Sequence, residues 1–296
     1  MIKWSKTGSD RGNGVYGSAM KRLVIYVKSR DVVPKLSLAI KELGEMGVEV
    51  LESAGRGTEP ESGPEELCLT DVPEFAAALA AAGRPVIAYV HEGNRGASLP
   101  GVRYVLEGAE AGAWYFIRVW QRFAGKPWHI LDTERCMVRE MVEEDLDVFY
   151  EIYAQPSATA YMQGLHPDRE QERQLLQAYR VQMYGFYEFG MWMVVLKETG
   201  EVIGRAGLDM PMEDFEEPAW TSAPALGYVI GEPWQGRGLA EEVCRGILDY
   251  AREDLGFDRM RARVHPENIR SIRLLEKLGF APVSVQGETV VYGKLL

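Results

Sequence analysis

Through the first half of the chain, short apolar runs alternate with amphipathic stretches, and the alternation predicts the elements. Residues 23–27, 48–51, 67–69, 86–90 and 102–106 are apolar, β-rich and of strand length. Between them, residues 34–46 carry Leu36, Ile40 and Leu43 at helical spacing, with Gly44 and Gly47 as stops. Residues 73–82 are alanine-rich, with Pro73 suited to a first turn and Gly83 as a stop. Residues 111–123 present a Trp114, Trp120, Phe123 face. Strands alternating with helices predict a small, Rossmann-like parallel α/β sheet over residues 21–126, with helices on its faces.

The second half follows a different rhythm. Pro127 marks the predicted boundary, and residues 130–296 form the second domain. Residues 131–140 read as an opening strand. Residues 143–153 read as a helix with Leu146, Phe149, Tyr150 and Tyr153 along one side. A loop over 156–168 and a second helix over 170–184 follow. Residues 191–196 and 202–208 flank Glu198-Thr199-Gly200-Glu201, a hairpin signature. After a loop over 210–223, rich in Glu213, Asp214, Glu216 and Glu217, comes a central strand at 225–230. The next helix, 240–254, is preceded by Leu239 and carries Val243, Ile247 and Tyr250 on an apolar face. A strand at 259–264, a helix from Asn268 to Gly279 and a closing hairpin around Gly287 complete the pattern.

Composition narrows the class. At 296 residues, with 46% hydrophobic and 26% charged content, a packed two-domain protein is expected. A net charge of -11 argues against nucleic acid as a partner, since phosphate binding needs clustered cations, and suits a cationic amine. Cys68, Cys136 and Cys244 are scattered and odd in number, which fits a reducing, cytoplasmic setting and neither a disulfide framework nor a metal site. No apolar run approaches the roughly 18 residues that span a bilayer, so no membrane partner is expected. Residues 1–20 are polar and glycine-rich, a disordered tail rather than a secretory signal, and Met20 offers an equally good native start.

The chemistry concentrates at Trp234-Gln235-Gly236-Arg237-Gly238-Leu239-Ala240, between the central strand and the following helix. Two glycines let the backbone turn sharply and approach a ligand without Cβ atoms in the way. The turn feeds a helix N-terminus, whose unpaired amides and positive dipole end form an anion cradle suited to pyrophosphate. The Lys-Ser/Thr ending of a P-loop and the three-glycine dinucleotide spacing are both missing. Downstream stand Val264-His265-Pro266-Glu267-Asn268-Ile269-Arg270-Ser271 and Leu275-Glu276-Lys277-Leu278-Gly279-Phe280.

Together these segments resemble the GNAT superfamily of N-acetyltransferases, closest to the Rim-type branch that acetylates ribosomal-protein N-termini. The loop resembles that family's Gln/Arg-x-x-Gly-x-Gly/Ala, the second segment its Val-x-x-x-Asn-x-x-Ser, and the third its Leu-x-Lys-Leu-Gly-Phe helix end. The resemblance covers about residues 130–296. It implies a mixed-sheet α+β domain with acetyl-CoA as cosubstrate and no metal. It also implies a primary-amine acceptor, either a protein N-terminus or a small molecule. Gln235, Gly236, Arg237, Gly238, Leu239, Ala240, Asn268 and Ser271 would hold the CoA. The thioester oxygen would take a backbone amide around Val229 or Ile230. Ser271 stands as candidate acid, because the position where many relatives carry a Tyr acid is Leu275 here. Glu216 and Glu217 are the candidate bases. Tyr150, Tyr153, Tyr161, Tyr184 and Tyr187 would line the acceptor slot or pack in the core. A free α-amine with a pKa near 8 is roughly 10% neutral at pH 7, whereas a lysine amine is neutral about once in 2,500. The α-amine can therefore manage with a weak or water-relayed base. The altered Tyr position and the want of a clear base favour a rival reading, a non-catalytic acyl-CoA sensor.

In the first half, the segment from Leu69-Thr70-Asp71 to Pro85-Val86-Ile87-Ala88-Tyr89 faintly resembles the last motif of haloacid-dehalogenase-type phosphatases. That family's Asp-x-Asp is absent after the first strand, where Lys28-Ser29-Arg30-Asp31 stands; Asp145-Leu146-Asp147 lies in a helical stretch. The expectation is an inactive scaffold, sensor or dimerisation domain, with Asp71 capping a helix.

Overall fold

The computed structural model describes residues 20–53, 65–108, 111–210, 220 and 223–296. Its contacts divide the chain into two compact units, the division falling between Trp128 and His129 in sequence.

The N-terminal unit is a five-stranded sheet, parallel throughout, in the order β2-β1-β3-β4-β5. The strands are β1 (Arg22–Tyr26), β2 (Glu49–Ser53), β3 (Glu66–Thr70), β4 (Val86–Val90) and β5 (Tyr104–Glu107). Helices α1 (Val32–Lys35), α2 (Ser37–Glu45), α3 (Pro73–Ala81) and α4 (Ala113–Phe123) connect or follow them. Strand alternation sorts the side chains. Leu23, Ile25, Leu67, Leu69 and Ile87 pack with Leu36, Leu43, Phe116 and Trp120, whereas Tyr26, Cys68 and Ala88 pack with Phe75, Ala76 and Leu79 of α3.

Asp71 is not a helix cap. The N-cap of α3 is Val72, without a side-chain capping bond. The buried Asp71 carboxylate instead accepts from the amides of Lys28 (2.7 Å) and Ser29 (2.8 Å), pinning the loop after β1. His91 Nε2 lies 3.3 Å from the same group. With that carboxylate spent on backbone amides, the phosphatase resemblance finds no support in this unit.

The C-terminal unit is an eight-stranded sheet in the order β12-β13-β11-β10-β9-β8-β7-β6. Residues 131–140, expected as one strand, form a hairpin of β6 (His129–Asp132) and β7 (Cys136–Arg139), because the Thr133 amide bonds Cys136 O (2.8 Å) and closes a turn. A 3₁₀ turn at Glu143–Asp145 then leads into α5 (Leu146–Tyr153). Asp145 is buried against Arg139 in a two-pronged pair, both prongs 2.7 Å, which makes it a structural carboxylate. A short helix α6 (Pro156–Thr159) interrupts the expected loop. Helix α7 (Arg169–Tyr179) starts at Asp168, whose side chain accepts from the amides of Glu170 and Gln171. It then widens into a π-helical segment, Arg180–Tyr187, that ends at Glu188 with φ +63°.

Strands β8 (Met191–Leu196), β9 (Val202–Asp209) and β10 (Ala225–Ile230) are antiparallel neighbours. Helix α8 (Leu239–Glu253) buries Leu239, Val243, Ile247 and Tyr250 on the sheet. β11 (Arg259–Val264), α9 (Ile269–Lys277), β12 (Ala281–Gln286) and β13 (Thr289–Leu295) follow. Gly204 and Gly207 of β9 lie under close backbone approach: a Cβ at either would stand 2.2 Å from a neighbouring carbonyl oxygen. Among the described residues, no helix is long and apolar enough to cross a membrane, and no group of three His, Cys, Asp or Glu side chains is placed to hold a metal.

Candidate acetyl-CoA site

The loop between β10 and α8 adopts the geometry its glycines allow. A 3₁₀ turn at Glu232–Trp234 leads into Gly236 (φ +73°) and Gly238 (φ +79°), both left-handed. Left-handed backbone costs an ordinary L-residue about 1–2 kcal/mol, so glycine suits both positions. Helix α8 starts directly after Gly238, with no side chain capping its first amides. Gly236, Arg237 and Gly238 are exposed, and nothing lies within 4 Å of where a Gly236 Cβ would be. The loop is therefore open at Gly236, and at the helix start an Arg135 guanidinium nitrogen stands 3.6 Å from where a Gly238 Cβ would be, an arrangement suited to an anion.

A second feature lies beside it. β10 and β11 run parallel but register at one pair alone, Ala225 with Arg261. Beyond that pair the two strands part, leaving a slot along β10. Hydrogen-bond parity decides which β10 groups face it. The Gly231 amide bonds Ile203 O (2.9 Å) in the β9 direction, so by antiparallel alternation Val229 also turns its amide to β9. The amides of Tyr228 and Ile230 face the slot. Of the two residues expected to supply an oxyanion donor, only Ile230 presents its amide there.

Gln235 ties the surroundings together. Its Nε2 donates to Ile230 O (2.8 Å) and to Ser157 Oγ (3.0 Å), while its Oε1 accepts from Arg270 Nη1 (2.9 Å). Gln155 Oε1 accepts from the Glu232 amide (2.6 Å), and Glu232 Oε1 from the Ser157 amide (3.1 Å). The strand end, the α5–α6 connection and the first turn of α9 are thus locked to one loop.

On the other side of the loop, Glu242 in the first turn of α8 accepts from Thr133 Oγ1 (2.6 Å), the Arg135 amide (2.7 Å) and Arg135 Nε (2.7 Å). Burial alone would raise its pKa, but these donors outweigh burial and hold it below the usual carboxylate range. Arg135 Nη1 also reaches Arg237 O at 3.0 Å.

Comparison with known proteins agrees with this geometry. Residues 135–281 match the acetyltransferase (GNAT) domain family. An uncharacterised N-acetyltransferase, p20 of Bacillus licheniformis, is 33% identical over 153 residues, spanning 51% of this chain and 81% of that protein. The chain belongs to the GNAT acetyltransferase family. It is an N-acetyltransferase, from a family whose acetyl donor is acetyl-CoA. The Escherichia coli [ribosomal protein uS5]-alanine N-acetyltransferase is 42% identical over 55 residues, 19% of this chain and 28% of that one. A solved acetyltransferase from Agrobacterium tumefaciens strain C58 is 26% identical, with a TM-score of 0.46, over 56% of this chain and 94% of that one.

Within this GNAT unit the expected site residues fall into three groups. Gly236, Arg237, Gly238, Leu239 and Ala240 form the loop and helix start, with Leu239 buried beneath them. Asn268 is the N-cap of α9, and its Oδ1 accepts from the Ser271 amide (3.1 Å), which also fixes Ser271 in the first turn. Glu216 and Glu217, the expected bases, lie outside the described residues, as do Glu213 and Asp214. Leu275 is buried.

The tyrosines divide similarly. Tyr184 is fully buried, accepting from the Met141 amide and donating to Met191 O, so it belongs to the core. The Tyr153 hydroxyl accepts from Arg205 Nη1 (3.2 Å). Tyr150 donates to His166 O (2.6 Å) beneath the Arg169 guanidinium. Tyr187 packs near Phe189 with its ring tilted at 45°. Tyr161 is 44% exposed, stacked on His265 with centroids 5.1 Å apart, and its hydroxyl donates to Glu267 O (3.3 Å). Tyr161 thus bridges to the segment following β11. Sequence reasoning missed Arg135, Glu242, Gln155, Ser157 and Arg270. Their partners are remote in the chain, and no local signal marks them.

Proposed function

We propose that this GNAT unit transfers the acetyl group of acetyl-CoA to a free α-amine, such as a protein N-terminus, by direct attack of the amine on the thioester. The observation that carries this reading is the parting of β10 from β11 next to a left-handed glycine loop that opens an uncapped helix start. The pyrophosphate would sit on the amides of residues 238–240. The pantetheine arm would add to β10 like a strand, taking polar groups that β11 leaves unpaired. The slot-facing Ile230 amide would donate to the thioester oxygen, stabilising the charge that develops on it in the transition state.

A covalent intermediate on cysteine is disfavoured, because a thiolate is the nucleophilic form. Burial pushes Cys136 up to about 11 and Cys244 higher still, so both stay protonated near neutral pH. Direct attack leaves two proton demands. An α-amine near pKa 8 meets the first with modest help, a water or a carboxylate such as Glu216 or Glu217. Ser271 would meet the second, donating to the sulfur as CoA departs. That a relative acetylates an alanine of a ribosomal protein supports an α-amine acceptor.

The test is thiol release from acetyl-CoA with peptides bearing free N-termini, the same peptides blocked at the N-terminus, lysine side-chain analogues and small polyamines. Release that depends on a free peptide N-terminus supports the reading. Release driven equally by blocked peptides with an internal lysine, or by polyamines alone, overturns the α-amine assignment.

A further inference from the structure

Tyr228 lies on β10, at the slot, in a place the reaction as proposed above does not use. Register sets the direction of its side chain. Tyr228 pairs with Ala206 and Ala206 with Trp192, and the Trp192 ring meets Tyr250 of α8 edgewise at 5.7 Å. Residues paired across a sheet share a face, so Tyr228 points to the side of α8. There its phenol interacts electrostatically with Ser271 of α9 and, less strongly, with Cys244 of α8. The residue is half-buried, yet its hydroxyl oxygen is shut off from solvent and has no hydrogen bond of ordinary geometry among the described residues.

A buried hydroxyl left without a partner costs about 1–3 kcal/mol, so a small shift that lets the Tyr228 hydroxyl reach an adjacent acceptor is favoured. Burial lifts the phenol to about 12, with Ser271 pulling against the rise, so Tyr228 keeps its proton across the neutral range. It is therefore a donor. A serine hydroxyl has one proton and two lone pairs. If Ser271 spent its proton on Tyr228, it would have none for a leaving sulfur. If Tyr228 donates to Ser271 Oγ instead, the serine proton is turned outward.

We infer that Tyr228 is a positioning residue that acts through Ser271, donating its hydroxyl proton to Ser271 Oγ and so aiming the serine hydroxyl at the departing CoA sulfur. This rests on the reading of Ser271 given above. The step balances without a redox partner. The amine nitrogen bonds to the acetyl carbon, the C–S bond breaks, and the proton lost by the amine matches the one gained by sulfur. Tyr228 and Ser271 end the cycle with the protons they began with.

The test is a double-mutant cycle of Tyr228→Phe and Ser271→Ala, followed by thiol release with the peptide acceptor or, lacking one, with water. Phenylalanine keeps the ring and removes only the hydroxyl. The expected result is a roughly 10-fold lower kcat for Y228F, with KM for acetyl-CoA within about twofold, and less than a twofold further loss when Y228F is added to S271A. Y228F with unchanged kcat, or with the same loss in both backgrounds, overturns the inference, as does a loss confined to KM. If S271A is itself silent, the acid role of Ser271 fails and the inference falls with it. If S271A is slow while Y228F is not, the inference alone fails. Calorimetric binding of acetyl-CoA by each variant separates these outcomes from misfolding.

Discussion

The glycine at 236 separates ligand geometry from folding geometry, and Gly236→Ala exploits this. At φ +73° an alanine pays about 1–2 kcal/mol for left-handed backbone. It pays nothing for crowding, since no atom lies within 4 Å of its Cβ. A loss of about 1 kcal/mol lowers the Tm of a unit this size by about 2–4 °C. The open space is where a bound pyrophosphate would come close to the backbone, so the same methyl should weaken acetyl-CoA binding by about tenfold or more, equivalent to about 1.4 kcal/mol. Gly236→Asn is the control, because asparagine enters left-handed backbone more readily than alanine. It should recover part of the Tm yet bind acetyl-CoA no better. Thermal unfolding and calorimetric titration on the three proteins give both quantities. If G236A binds acetyl-CoA as tightly as wild type, the loop is not the cradle. If G236N recovers affinity and Tm in parallel, the effect was strain alone and the steric argument is wrong.

Glu242→Gln should lower stability by about 1–3 kcal/mol at pH 7, since it removes the charge from three hydrogen bonds, one of them to a half-exposed arginine. Because the folded-state pKa of Glu242 is depressed, its contribution is present above the unfolded value of about 4.3 and is lost as pH falls through the folded value. The Tm gap between E242Q and wild type should therefore close in acid, and a gap that is constant from pH 7 to pH 3 refutes the charge argument. Gly207→Ala would place a Cβ 2.2 Å from Gly190 O and should cost well over 2 kcal/mol by forcing β8 and β9 apart, read by chemical denaturation. Gln235→Ala should raise the Kd for acetyl-CoA by about 3- to 10-fold with little change in Tm, because it frees Ile230 O, Ser157 and Arg270 at one exposed loop.

Local chemistry made much of this chain legible from sequence. Short apolar runs bounded by turn signals placed β4, β8, β10 and β11 at their observed ends, because a strand largely buried on both faces is marked by its own residues. Gly236 and Gly238 marked a left-handed turn before a helix, and Asn268 marked an N-cap, since both are short-range backbone demands. The loop and the Asn-x-x-Ser segment were enough to suggest the family. Tertiary structure decided what no window of residues contains. The slot exists because β10 meets β11, more than thirty residues later, at a single pair. Which β10 amides face it depends on register with β9, where a shift of one residue would exchange Val229 for Ile230. Asp71 looked like a helix cap, yet it serves the loop after β1, because its partners are amides some forty positions away. Gln235 read only as a loop residue for CoA, and Glu242 as an ordinary polar residue, until folding brought them Ser157, Arg270, Thr133 and Arg135. Sequence specifies residue type and local conformation; which polar groups meet depends on long-range pairing, and with it the position of each proton donor at the site.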